Sequence, residues 1–182
     1  MQSVTILQHA GDEGLNPVDY HAAALAQRVE RAKTAGVSAG AEEALGEALT
    51  KAMQAYLHDL HYGRVDPASV YANFKLPPKT LNVPASLDSA LKVGNLFEAV
   101  KAATPQFPLY QALRPWLQRY RALESDPAWH GHLPPLPGKK LEPGSAYAGI
   151  PLMTARLISL GDLPKDFVAP DHYQGPLVDG VK

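Results

Sequence analysis

The sequence predicts an all-α fold: an irregular helical scaffold bundle, followed by a Pro-rich linker and a partial small helical domain. Three observations predict it. Apolar residues recur at three- and four-residue spacing in several segments. No stretch carries the period-2 alternation of a half-buried strand. The 17 prolines and 14 glycines among 182 residues concentrate between the periodic segments, most densely late in the chain.

Composition narrows the function classes. Apolar residues make up 46% and charged residues 19%, which excludes the low-hydrophobicity, high-charge signature of disorder. A formal net charge of −1 argues against a phosphate-tracking surface, so no nucleic-acid partner is expected. No run approaches 18 consecutive apolar residues, and no membrane span is expected. The chain contains no cysteine, which removes disulfides, thiolate nucleophiles and Cys-based zinc sites together. The opening MQSVTILQHAGDEG has neither a basic n-region nor an apolar h-region, so it is not read as a signal peptide.

Residues 1–15 carry little periodic pattern. Asn16-Pro17 reads as a helix start, with Asn at N-cap and Pro at N1, where the missing N–H costs nothing. The helix it opens runs from Val18 to about Ala35, with Ala22, Leu25 and Val29 on one face and Gly36 as a fitting C′ residue. A second helix is expected from about Ala41 to His61. There Leu45, Leu49, Ala52/Met53, Tyr56 and Leu60 form a stripe, Glu47 and Lys51 pair one turn apart, and Gly63 ends the run. Asp66-Pro67 suits a short turn. Lys75-Leu-Pro-Pro and Val83-Pro84 read as extended or turn-like, because a residue before proline is pushed out of the α region.

Two short helices follow, Ala85–Val93 and Leu96–Ala103, separated by Gly94-Asn95 and ended by Thr104-Pro105. A longer helix is expected from about Pro108 to Glu124, with Leu109, Leu113, Trp116/Leu117, Tyr120 and Leu123 on its buried stripe. Pro115 should kink it or begin it. Residues 125–145, with Pro127, Pro134, Pro135, Pro137 and Pro143, read as a semi-rigid linker and place the domain boundary at 136/137. Beyond it, Ile150 to Leu160 is one helix ended by Gly161, and 175–182 opens another.

Candidate chemistry is sparse. His58 and His61 lie one turn apart and could share a metal ion, but a site needs a third protein ligand, and Asp59 points elsewhere on the helical wheel. Helix-end histidines are the preferred reading. His130 and His132 sit in a Pro/Gly loop beside no acidic cluster. No Gly-x-Ser-x-Gly elbow and no Gly-rich phosphate loop exists. LPPLP at 133–137 resembles a polyproline ligand but serves equally as a spacer. Trp116, Tyr120 and Trp129 could line a sugar-stacking surface, although Trp116 and Tyr120 at helical spacing are read as core. No catalytic, cofactor-binding or metal-binding residue is therefore assigned, no cofactor is expected, and substrate-binding residues stay unassigned.

Six segments, in order, carry a resemblance. They are GLNPVDYHAAAL (14–25), TKAMQAYLHDLHYGRVDP (50–67), FPLYQALRPWLQRYRALE (107–124), LPPLPGKKLEPG (133–144), IPLMTARLISLGDLP (150–164) and HYQGPLVDGVK (172–182). Together they resemble the N-terminal half of the large multidomain L,D-transpeptidases of the bacterial cell wall. The resemblance implies a helical scaffold over 1–136 and the truncated start of a peptidoglycan-binding-like domain over 137–182. It also implies a periplasmic or cell-envelope location, with the protein's own catalytic domain and peptidoglycan as partners. That family's catalytic motif, a His followed by Ser-His-Gly-Cys-x-Arg, needs a Cys that this chain lacks, so a non-catalytic fragment of an acyltransferase is implied. Pro115, Pro176 and Gly180 depart from the family's helical stretches. A stand-alone helical protein-interaction module is the alternative reading.

Overall fold

Asn16 acts as the sequence suggests: its Oδ1 accepts the Val18 N–H at 3.1 Å, with Pro17 in the first turn. What it starts, however, is a 3-10 turn, Pro17–Tyr20, that ends at His21 with φ 54° and ψ 30°. Left-handed backbone is uncommon for a non-glycine residue, though histidine is among those enriched there. The reversal separates this turn from helix α2 (Ala22–Ala35) and lets Tyr20, Ala22 and Leu25 all reach the core. The computed structural model describes residues 1–36, 38–71, 73 and 80–182. Among them the fold is all-α, without strand or sheet; an isolated antiparallel bridge joins Ala146 and His172.

The N-terminal residues depart from expectation. Gln2–Gln8 form helix α1, followed by a 3-10 turn over Ala10–Glu13. Ile6, Leu7 and Ala10 are buried from this short segment. Helix α3 runs from Ala39 to Tyr62, and Gly63 closes it at φ 89°. Its expected stripe is buried only in the C-terminal half, at Ala52, Met53, Tyr56, Leu57 and Leu60; Leu45 and Leu49 are half-covered. A short helix α4 (Pro67–Val70) follows. The expectation for Lys75-Leu-Pro-Pro lies outside the described residues.

Val83-Pro84 is helical rather than extended, because Asn82 caps helix α5 (Val83–Lys92). Its Oδ1 accepts the Ala85 N–H at 3.0 Å, and Pro84 sits in the first turn. Gly94, at φ 70°, ends α5 in a Schellman arrangement: its N–H reaches Leu91 O, and the Asn95 N–H reaches Ala90 O. Helix α6 (Phe97–Ala103) follows, and the Gln2 side chain accepts the Leu96 N–H at 2.9 Å. Helices α1, α2, α5 and α6 all pack on α3.

Helix α7 (Pro108–Ala122) passes through Pro115 without ending. Most of its expected buried stripe is exposed: Leu109, Leu113, Trp116 and Tyr120 are 64, 54, 51 and 58% exposed, while Leu117 and Leu123 are half-buried. The physical reason is that another face holds the helix. Tyr110 donates to Glu13 Oε2 at 2.6 Å, and Arg114, one turn on, pairs with Glu13 Oε1 at 2.5 Å. The Glu13 side chain is only 8% exposed, so these charge-assisted bonds outweigh the apolar stripe in choosing the face.

The chain divides into two compact units, Met1–Leu117 and Gln118–Lys182. The boundary expected at 136/137 falls inside the second unit. There the Pro-rich stretch is tied down: Tyr147 donates to Pro134 O at 2.6 Å, and Arg156 donates to Ala128 O and Gly131 O. Helix α8 (Ile150–Leu160) and helix α9 (Pro176–Val181) share a core of Ile150, Leu157, Leu163, Tyr173 and Leu177. On the apolar face of α8, Leu157 is buried, and Leu152 and Leu160 are half-buried.

If Glu13 fixes α7, replacing it should cost more than a surface ion pair. Glu13→Gln is expected to lower the unfolding free energy by about 2 kcal/mol. Tyr110→Phe should cost about 1 kcal/mol, and the double variant less than the sum. Urea denaturation checks both; an unchanged midpoint in Glu13→Gln would show that solvent already screens the pair.

Candidate functional site

The two histidines one turn apart on α3 do not converge on a common point. His58 Nδ1 lies 3.3 Å from Asp59 Oδ1, and its ring packs on Tyr62 at 4.9 Å between centroids. His61 Nδ1 instead meets the Ala103 carbonyl at 3.2 Å, and its ring meets the same Tyr62 edge-on at 4.8 Å. Tyr62 therefore stands between two imidazoles with different partners. Its own hydroxyl donates to Leu81 O and accepts the Leu81 N–H. Among the described residues no group of three or more His, Asp or Glu side chains is placed to hold a metal ion.

Asp59 has a different role from the one its place beside His58 suggests. Its Oδ2 accepts the Tyr20 hydroxyl at 2.9 Å, and the Tyr20 ring meets Tyr56 edge-on at 5.5 Å. Burial first, then the hydrogen bond to Asp59, pushes the Tyr20 phenol well above its ordinary value. Burial, followed by the Glu13 charge, does the same to Tyr56. Tyr110 is raised by burial and by its bond to Glu13. All three phenols are held neutral, and those of Tyr20 and Tyr110 donate to carboxylates. None of these residues carries a sequence motif; Tyr20 and Asp59 are 39 positions apart, and Tyr110 and Glu13 are 97 apart.

A groove of about 490 Å³ lies between α2 and α3. Its floor is made by Tyr20, Leu25 and Ala52, all buried. Arg28 and Lys51 stand on its rim, and His21 and Asp19 at its end. The sequence signal for it was weak, because alanines at facing positions (Ala24, Ala48 and Ala55) read simply as helix formers. Their small size leaves the space.

In the second unit, Trp129 is engaged rather than presented. Its Nε1–H donates to Ser159 Oγ at 2.9 Å, and the Arg156 guanidinium lies 5.1 Å from the ring centroid. His130 Nε2 meets the Glu124 carbonyl at 3.0 Å, and His132 is exposed. LPPLP offers its Pro134 carbonyl to Tyr147. Trp116 and Tyr120 are exposed on α7, not core. No nucleophile, base and orienting group come together among the residues that the sequence singles out.

Two measurements check this account. Equimolar zinc should leave the melting temperature nearly unchanged. A metal at 100 times its dissociation constant would add about 2.7 kcal/mol, and a shift of that size lost in His58→Ala would show a metal site. The raised tyrosines give an alkaline signature. Below about pH 10 the phenols are neutral in both states, so they contribute no pH dependence. Above it the unfolded chain ionises while the native phenols stay protonated. Stability should therefore fall by about 1.4 kcal/mol per pH unit for each buried tyrosine. Tyr20→Phe should flatten that slope by one share; an unchanged slope would show that its phenol ionises freely in the native state.

Comparison with known proteins places the first unit. The model of a family described as a scaffold domain matches residues 2–117. No curated protein and no solved structure matches the chain. The match covers well over half of the 182 residues and ends at Leu117, where the first compact unit ends. The chain belongs to this scaffold-domain family.

Proposed function

We propose that the chain is the non-catalytic scaffold portion of an exported L,D-transpeptidase, an enzyme that cross-links peptidoglycan in cell-wall biogenesis. The observation that carries this reading is the scaffold-family match over residues 2–117, in a chain whose ordered segments from 14 to 182 resemble that enzyme class. In this reading the parent enzyme is an acyltransferase that works through a Cys acyl-enzyme, in a domain separate from this one. The scaffold's task is mechanical: it holds that catalytic domain and helps to place it on the glycan mesh. In this reading 1–136 belong to the scaffold portion and 137–182 open a peptidoglycan-binding-like domain, with 118–136 folding in the second compact unit. The location is the periplasm or cell envelope, and the partners are the catalytic domain and peptidoglycan.

What the scaffold unit provides is a fixed helical frame. Its polar side chains brace one another, as Glu13 does with Tyr110 and Arg114, rather than gathering around a reacting group. No helix among the described residues is long and apolar enough to cross a membrane.

The gene and one chemical probe test the proposal. An open reading frame that continues into a Ser-His-Gly-Cys-x-Arg motif supports it; a stop codon directly after Lys182 would favour a stand-alone interaction module. By mass spectrometry, a carbapenem should add one adduct to the full gene product and none to residues 1–182. A stoichiometric adduct on residues 1–182 would end the scaffold-only account.

A further inference from the structure

The groove between α2 and α3 has a lopsided charge. Asp19 is the acid among its lining residues, and Arg64 already holds it at 2.8 Å. Lys51 has Glu47 only at 3.7 Å, with both side chains mostly exposed; such a contact contributes little. No acidic group among the described residues pairs with Arg28. Two cations therefore overlook an apolar floor of Tyr20, Leu25 and Ala52, and among the described residues only the exposed Glu47, at 3.7 Å from Lys51, pairs with either.

We propose that this groove docks an acidic amphipathic helix from a partner protein. Charge complementarity selects an acidic occupant: carboxylates flanking the apolar face would meet Arg28 on α2 and Lys51 on α3. The shape selects a helix. The groove lies between two helices and is open to solvent, with Ala24, Ala55, Arg28 and Lys51 all exposed, whereas small-ligand sites bury most of the ligand's surface. An apolar helix face reads such a groove through side chains at i, i+3, i+4 and i+7. Alanines at the contact allow a third helix to approach closely, since interaxial distance follows the side chains between the axes. The choice of a protein occupant rests on the scaffold reading; the charge and shape of the site do not.

The test uses the whole chain and a defined probe: a 16-residue acetylated peptide with leucines at helical spacing flanked by glutamates, and its counterpart with lysines for glutamates. Methyl NMR of the 1–182 chain should show the acidic peptide shifting Ala24, Ala48, Ala52 and Ala55. The lysine peptide should bind at least tenfold more weakly, and affinity for the acidic peptide should fall as salt screens the rim. The double variant R28E/K51E should reverse the preference. Ala55→Leu, which fills the groove from an exposed position, should weaken both peptides while leaving the melting temperature unchanged. Absence of binding, equal affinity for the two peptides, or shifts confined to other surfaces would overturn the proposal. So would concentration-dependent self-association through the same methyls, or dodecanoate shifting them as strongly, because either assigns the groove to another occupant. None of these results bears on the carbapenem or gene test, so the two proposals fail separately.

Discussion

The first unit depends on the burial of one face of α3 between Ala52 and Leu60. Helices α1, α2, α5 and α6 each contact α3, and Met53, Tyr56 and Leu57 on that face are almost wholly removed from solvent. A fully buried side chain of this size contributes about 1.5–3 kcal/mol, so this half of the helix carries a large part of the unit's cohesion. The other half of the same helix is different. From Ala39 to Leu49 its residues are exposed or half-covered, and its glutamates face water. A 24-residue helix thus acts as a core element at one end and a projecting arm at the other.

The groove is a consequence of that division. Where α2 and α3 meet, the facing positions change from large buried residues to alanines. Leu25 and Ala52 are buried there, and the alanines leave open the space above them. Tyr20 closes the bottom because the left-handed residue His21 lets the 3-10 turn before α2 fold inward, where Asp59 accepts its hydroxyl. Core packing, the strained turn and the open groove are therefore one arrangement seen at three places. The scaffold-domain match covers all the elements of this arrangement, from α1 through the groove to α6.

Much of the fold was legible because local signals decide it. The periodicity of α3, the glycines that end α2, α3, α5 and α8, and the break at Thr104-Pro105 act within a few residues of where they stand. Asn16-Pro17 marked a helical start correctly, but not that it lasts a single 3-10 turn. Nothing local says that Tyr20 must turn inward to Asp59. Helix α1 was missed for a related reason: seven residues present too little periodicity to register, and α1 is held by packing on α2 and α3 and by Gln2 reaching Leu96. Val83 ran against the rule for residues before proline because the Asn82 cap supplies a stronger local signal. The groove was invisible for a different reason. A space is made by what side chains lack, and alanine in a helix carries no mark of what faces it.

Helix α7 shows most clearly where hydrophobic periodicity loses to electrostatics. Its apolar stripe is as regular as that of α3, and periodicity alone predicts that it is buried. Yet the face that docks carries Tyr110, Arg114 and Leu117. Glu13 explains the inversion, since a carboxylate removed from water without partners costs several kcal/mol. Glu13 ends the 3-10 turn that follows α1, where its side chain is 8% exposed and its charge acts on Tyr56 of α3. Once that position is fixed, the helix that satisfies both carboxylate oxygens is favoured over the same helix rotated to bury its leucines. Each half-exposed leucine forfeits only part of its transfer free energy, on the order of 1 kcal/mol, whereas hydrogen bonds to a buried charge contribute about 1.5–3 kcal/mol each. The stripe at Leu109, Leu113 and Trp116 is therefore exposed by a choice made elsewhere, at a residue 96 positions before it in the chain.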